Sequence, residues 1–168
     1  MLFRSYLLIQ FGHNDMPGKG ADRETDPSTT YRDLLTRYVD ETRAAGVRLV
    51  LVTPMTRRGF QNGRVIDDLL PYAEAMQKLA AEKSVPLVDL HARSLALVEK
   101  LGPVAAGELG PLKEDGTPDR THLNAKGSDL MARLIVSELR KAVPELAPWL
   151  KAAEVPLGGT ATPQKPLR

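Results

Sequence analysis

Two short stretches hold side chains whose types and spacing could do chemistry together. In the first, Asp119-Arg120-Thr121-His122, an aspartate stands three residues before a histidine. At the mouth of a helix, that spacing can set the carboxylate beside one imidazole nitrogen. The tautomer is then fixed, and the charge formed when the other nitrogen takes a proton is supported. The same residues would also suit a turn aspartate followed by a surface histidine. In the second stretch, Gly12-His13-Asn14-Asp15, the glycine permits a close backbone approach or an unusual turn. Asn14 carries a neutral amide donor able to meet a developing oxyanion. A strand-end turn in which Asn14 and Asp15 cap their own backbone is the plainer alternative.

Both stretches need a scaffold. Three apolar runs are bounded by turn residues: YLLIQF (6–11), VRLVLVT (47–53) and VPLVDL (85–90). They are almost continuously apolar, as suits strands covered on both faces of a parallel sheet. Between them, Asp26-Pro27-Ser28 offers a cap and an early proline before Tyr31, Leu34, Leu35, Tyr38 and Val39, which recur at helical spacing until Gly46. Pro71 opens a second helical pattern with Met76, Leu79 and Ala80 on one face. A third helix follows the last apolar run. A final one starts near Asn124, carries Leu130, Met131, Leu134, Ile135 and Leu139 inward, and ends before Pro144. Strands alternating with helices imply an α/β domain with right-handed crossovers. In such sheets, functional groups gather beyond the carboxyl ends of the strands. Gly12–Asp15, residues 53–60, residues 89–94 and the loop 115–127 all fall there. The domain is expected to span residues 1–151, with the proline- and glycine-rich residues 152–168 as a disordered tail.

Composition narrows the function classes. The chain has 168 residues, 42% of them hydrophobic and 26% charged, the proportions of an ordinary globular protein. A net charge of +2 without basic runs, and 5% aromatics, give little basis for nucleic-acid binding. No stretch approaches the length of a membrane helix. The lack of cysteine removes disulfides, thiolate metal sites and a thiol nucleophile. No cofactor is called for.

Taken together, Gly12–Asp15 resembles the GxND block, and Asp119–His122 the DxxH block, of the SGNH (GDSL-type) hydrolases. IQFGHNDMPGKG, VTPMTRRGF and DRTHLNAKG are similar, more narrowly, to the rhamnogalacturonan acetylesterase branch. The resemblance runs from about Tyr6 to near Leu139. It implies a three-layer α/β/α, flavodoxin-like fold and removal of acetyl groups from a pectic polysaccharide. His122 would be general base and then acid, Asp119 its orienting carboxylate, and Asn14 an oxyanion donor on a loop shaped by Gly12. His13 and Asp15 would serve loop packing. Arg57 and Arg58, in a strand-end loop, could pair with a uronate carboxylate or simply be solvated. Met55 and Phe60 could pack there or line a sugar site. His91 has no evident partner and is expected to be structural.

The family's nucleophile is a serine in a GDS block upstream of GxND. Only eleven residues precede Gly12, and Ser5, Ser28, Ser84, Ser94, Ser128 and Ser137 all lack that context. The chain as written is therefore expected to lack its nucleophile and its first strands, and to be close to inactive. It would then leave YLLIQF as an apolar sheet edge prone to self-association. No export signal is read in these residues, although relatives acting on polymers are commonly secreted or periplasmic. Two other classes remain. A metal-dependent phosphoesterase shares an Asn/His/Asp cluster at a strand end, but here His13 precedes Asn14, the reverse of the usual order. A non-catalytic module that binds carbohydrate or a partner is supported by the absent serine, although the retained His122, Asp119 and Asn14 fit a truncated enzyme better.

Overall fold

A computed structural model of the chain describes residues 5–151; the tail expected at 152–168 lies outside them. The elements run β1 (Tyr6–Ile9), α1 (Thr30–Ala44), β2 (Arg48–Val52), β3 (Phe60–Gln61), β4 (Arg64–Val65), α2 (Leu70–Glu82), β5 (Leu87–Val88), α3 (Leu90–Gly107) and α4 (Ala125–Ala142). A 3₁₀ turn at Pro144–Trp149 follows.

β1, β2 and β5 form a parallel sheet with β2 in the centre. Tyr6 to Ile9 stand opposite Arg48 to Leu51, and Leu51 and Val52 opposite Leu87 and Val88. Successive strand side chains point to opposite faces, so the continuous apolar runs feed two cores. Ile9, Leu49 and Leu51 pack with Tyr31, Leu35 and Val39 of α1 and with Tyr72, Met76 and Leu79 of α2. Val50, Val52 and Val88 pack on the other face with Leu90, Leu109, Met131, Leu134 and Leu139. This is the three-layer α/β/α arrangement. Each fully buried aliphatic chain here, Val50 or Leu51 for instance, contributes about 1.5–3 kcal/mol by leaving water.

The strands are shorter than the apolar runs. Past Ile9 the backbone turns away at Gly12, whose φ of 129° few other residues adopt. The run 85–90 ends early because Asp89 caps α3, accepting from Ala92 N at 3.2 Å. Asp26 caps more loosely, its carboxylate accepting from Ser28 N and Thr29 N just before α1 begins. The β3–β4 hairpin was not anticipated, although its turn residues Asn62 and Gly63 both have positive φ, the common signature of a tight hairpin. Gly102 and Pro103 break α3 into two segments.

β1 has no partner on its outer side among the described residues. Leu7 and Leu8 are 41% and 42% exposed, and Phe11, Leu34 and Tyr38 are exposed as well, with the Phe11 and Tyr38 rings in contact. Unpaired strand groups beside exposed aliphatics invite pairing with another chain. The 168-residue chain is expected to sediment as a dimer or larger species. Leu8→Lys should shift it toward monomer while leaving a cooperative melt. A monodisperse wild-type monomer would refute this.

Candidate active site

The Gly12–Asp15 loop leaves β1 and is braced from below. A side chain at Gly12 would press on Pro54, with contacts at 3.1 Å, and on Tyr72. The Asp15 carboxylate accepts from Gly12 N at 2.9 Å and from Thr25 Oγ1 at 3.1 Å. Its carbonyl accepts from Thr25 N, and Tyr72 OH lies 3.0 Å from it. Tyr31 OH donates to Phe11 O, and the two tyrosine rings meet edge to face. Asp15 therefore takes the capping role. Asn14 stands exposed at the apex, with no side-chain hydrogen bond among the described residues. His13 is half-buried; burial first, and then the Arg57 charge, hold its imidazole below the ordinary value.

The Asp119–His122 loop precedes α4. Asp119 Oδ1 accepts from Thr121 N at 2.7 Å and His122 N at 2.9 Å, while Oδ2 sits 2.7 Å from His122 Nδ1. These bonds, the one from the His122 ring foremost, hold the Asp119 carboxyl well below the usual carboxylate range. An ionised Asp119 only accepts, so Nδ1 carries the proton and Nε2 presents its lone pair. The imidazole is 78% exposed. Its Nε2 edge therefore faces outward, away from Asp119. Asn124 closes the loop: its Oδ1 caps Gly127 N, and its amide donates to Glu108 O and Gly110 O. Gly127 itself packs on the Leu109 carbonyl, where a side chain would collide.

The segment 53–60 lies between these loops and holds both. Arg57 donates to Asp68 Oδ2 at 2.7 Å and to His13 O at 3.1 Å. Arg58 is fully buried. Its guanidinium donates to Asp119 O at 2.9 Å and to His122 O, with Thr121 O at 3.5 Å, and its backbone N donates to Arg120 O. The uronate role expected for Arg58 is thereby corrected: a guanidinium enclosed by main-chain carbonyls has no access to a ligand. Arg57, with a side chain only 15% exposed, is committed to Asp68 and the Asn14 loop. Met55 is buried, and Phe60 is half-buried in β3.

His91 also differs from expectation, because it has partners. Buried at the start of α3, it sets Nδ1 3.1 Å from Pro54 O and Nε2 3.0 Å from Asp67 Oδ1, the latter pair not aligned as a hydrogen bond. Its backbone N donates to Thr53 Oγ1 at 2.8 Å. No trio of His, Asp or Glu is arranged to hold a metal among the described residues. None of the serines hydrogen-bonds to His122. Ser94 is buried between Thr56 N and His91 O. Ser5 precedes β1, Ser28 binds Asp26, Ser84 follows α2, and Ser128 and Ser137 lie in α4.

Gly110 is a residue that motif spacing did not single out. A methyl there would overlap Asp119 O and Arg58 Nη2 and come within 2.9 Å of His122 O. Gly110→Ala should destabilise the fold by about 1–3 kcal/mol, as overpacking does, measurable by urea unfolding. The Asp119 shift has a defined sign. Because the folded value is lowered, its contribution to folding is complete above the unfolded value of about 3.9. That contribution declines below this pH and is gone once pH has fallen through the folded value. In a carbon-detected NMR titration, the Asp119 carboxyl should therefore stay ionised where exposed aspartates protonate; an ordinary midpoint would contradict the geometry.

Residues 3–130 match the GDSL-like lipase/acylhydrolase family. The chain is 38% identical over 145 residues to the rhamnogalacturonan acetylesterase RhgT of Bacillus subtilis (strain 168), covering 81% of this chain and 61% of that protein. It is 35% identical over 136 residues to the probable rhamnogalacturonan acetylesterase YesY of the same organism, covering 81% and 62% respectively. It thus spans about three fifths of the length of these relatives. A crystal structure of the Bacillus subtilis protein YxiM superposes with a TM-score of 0.67 at 28% identity, over 81% of this chain and 36% of that one. With its parallel sheet and its two loop motifs in order, the chain belongs to the GDSL-like lipase/acylhydrolase (SGNH) family, in the rhamnogalacturonan acetylesterase-like branch.

Proposed function

We propose that these residues form part of an acetylesterase acting on rhamnogalacturonan, the pectic backbone, with His122, Asp119 and Asn14 in the catalytic roles. The observation that supports this best is the 2.7 Å contact from His122 Nδ1 to Asp119, on a ring that is largely exposed and leaves Nε2 accessible. The names of the two acetylesterase relatives supply the substrate class.

In this reading, Nε2 takes the proton of a serine hydroxyl as its oxygen attacks the acetyl carbonyl. The oxyanion that develops meets the Asn14 amide, a neutral donor that never competes for the proton. Collapse expels the sugar oxygen, which takes the proton from His122, and leaves an acetylated serine. Water, deprotonated by the same nitrogen, then releases acetate. Asp119 stabilises the imidazolium in both steps without itself accepting the proton. The serine is proposed to come from polypeptide outside these 168 residues, since the six present lie in α4, in a buried contact, beside the Asp26 cap, in the turn after α2 or at the far end of β1. The chain alone would then turn over little.

The test is acetate release from acetylated rhamnogalacturonan oligosaccharides by the native protein isolated from its source cells. His122→Ala should lower kcat by about 10⁴-fold or more and Asn14→Ala by about 10²–10³-fold. A serine-directed fluorophosphonate should label the native protein but not the 168-residue chain. Oligosaccharide binding without acetate release, in a native protein that resists the label, would replace this reading with a non-catalytic carbohydrate-binding one. The missing serine context is what favours that alternative.

A further inference from the structure

We infer that Arg58 is a positioning residue for the Asp119–His122 pair, its enclosed guanidinium holding the main-chain carbonyls on both sides of that pair. Its catalytic consequence rests on the function proposed above; the geometric claim does not.

The argument starts from what it takes to bury a guanidinium. Arg58 is 0% exposed and has no carboxylate in ion-pair contact among the described residues. Its Nε has no hydrogen-bond partner. A fold in need of stability alone would be served as well by an apolar side chain of similar volume. What an apolar side chain cannot supply is direction. The planar fork offers several donors at fixed angles. Here they converge on Asp119 O and His122 O, with Thr121 O at the edge, while Arg58 N anchors Arg120 O. The carbonyls of residues 119 to 122 are therefore all referred to one residue, three to its side chain and that of Arg120 to its backbone N.

That frame decides where the side chains point. The Asp119 carboxylate reaches Thr121 N, His122 N and the His122 ring only while the loop keeps this turn. The largely exposed His122 ring has Asp119 as its one hydrogen-bond partner among the described residues. Gly110 completes the arrangement, because only a residue without a Cβ leaves room for Arg58 Nη2 beside the two carbonyls. The Asp119 carboxylate in turn favours the charged guanidinium, against the burial that disfavours it. Arg57, the preceding residue, holds His13 O and Asp68 instead. One short segment thus refers both motif loops to the same frame, and only Arg58 touches the dyad.

The experiment compares wild type, Arg58→Lys, Arg58→Gln and Arg57→Lys in the full 168-residue chain, reading ¹⁵N shifts of the His122 ring at neutral pH. In wild type, Nδ1 should be the protonated nitrogen of the neutral ring, with its proton visible in the contact to Asp119. Arg58→Lys keeps the charge but loses the fork. It should abolish the Nδ1 proton signal and move the ring toward the Nε2-protonated form while amide dispersion elsewhere persists. Arg57→Lys should leave the ring unchanged. The inference is overturned if a folded Arg58→Lys or Arg58→Gln keeps the wild-type tautomer. It is equally overturned if neither variant folds, because Arg58 then serves the whole domain and not the pair. In the native protein, Arg58→Lys should lower kcat about 10²-fold with KM changed less than about threefold. Absence of acetate release by unmodified native protein would defeat the proposed function and leave the tautomer result standing.

Discussion

The hydrogen bonds from the buried Arg58 guanidinium to the carbonyls of Asp119 and His122 are the contacts on which the candidate site depends. Apolar burial assembles the layers but has no direction: a core of valine and leucine tolerates small rotations of a loop at its rim. A dyad does not, since a 2.7 Å contact between a carboxylate and an imidazole nitrogen is lost on a modest turn of one peptide plane. Directional bonds to main chain, made inside the protein where they are not shared with water, supply what the core lacks.

The sheet determines where such bonds are needed. Parallel strands end on the same side, so the chain leaves β1 at Gly12, β2 at Thr53 and β5 at Asp89 above one rim. The segment after β2, the central strand, lies between the others. Thr53 illustrates the consequence: its hydroxyl donates to Asp89 and accepts from His91 N, while its own N–H continues the ladder to Val88 O. Arg57 and Arg58 extend the same role outward to the two motif loops. Tyr31 and Tyr72, from helices on one face, support the Asn14 loop from beneath. The rim is polar and cross-braced, whereas the outer side of β1 is apolar and open. The two surfaces differ because the first carries a hydrogen-bonded network and the second a strand with no outer partner among the described residues.

Membership of the SGNH family gives these groups a common setting, and this chain spans about three fifths of its acetylesterase relatives. Within that span lie an exposed imidazole, the carboxylate that meets its Nδ1, and an exposed Asn14 amide with no side-chain partner among the described residues. The division falls along a physical seam. The base and its supports are built from α3, α4 and the loop between them, a unit braced by Arg58, Gly110 and Asn124. The reacting hydroxyl, in the proposed function, is presented from a different part of the sheet.

Much of this was determined by sequence alone, because it depends on local pattern. Continuous apolar runs require burial on both faces, and so a parallel sheet between helices. Asn124 before an amphipathic stretch caps a helix wherever it occurs. The three-residue step from Asp119 to His122 lets a carboxylate reach its own loop's amides and ring. Asn62-Gly63 carried its hairpin just as locally, although the expected elements did not include it. Tertiary structure decided the rest. Arg57 and Arg58 look like solvated loop cations because their partners are mostly main-chain carbonyls, Arg58's 61 to 64 residues downstream, and a carbonyl has no residue type to recognise. His91 looked unpaired because Asp67 and Pro54 reach it only when the segments before α2 and after β2 fold together. Gly110 shows its necessity only once two backbones and a guanidinium converge on the space a Cβ would fill. Periodicity and spacing record what a residue does to its neighbours in the chain; which distant carbonyl a buried cation meets is decided by packing.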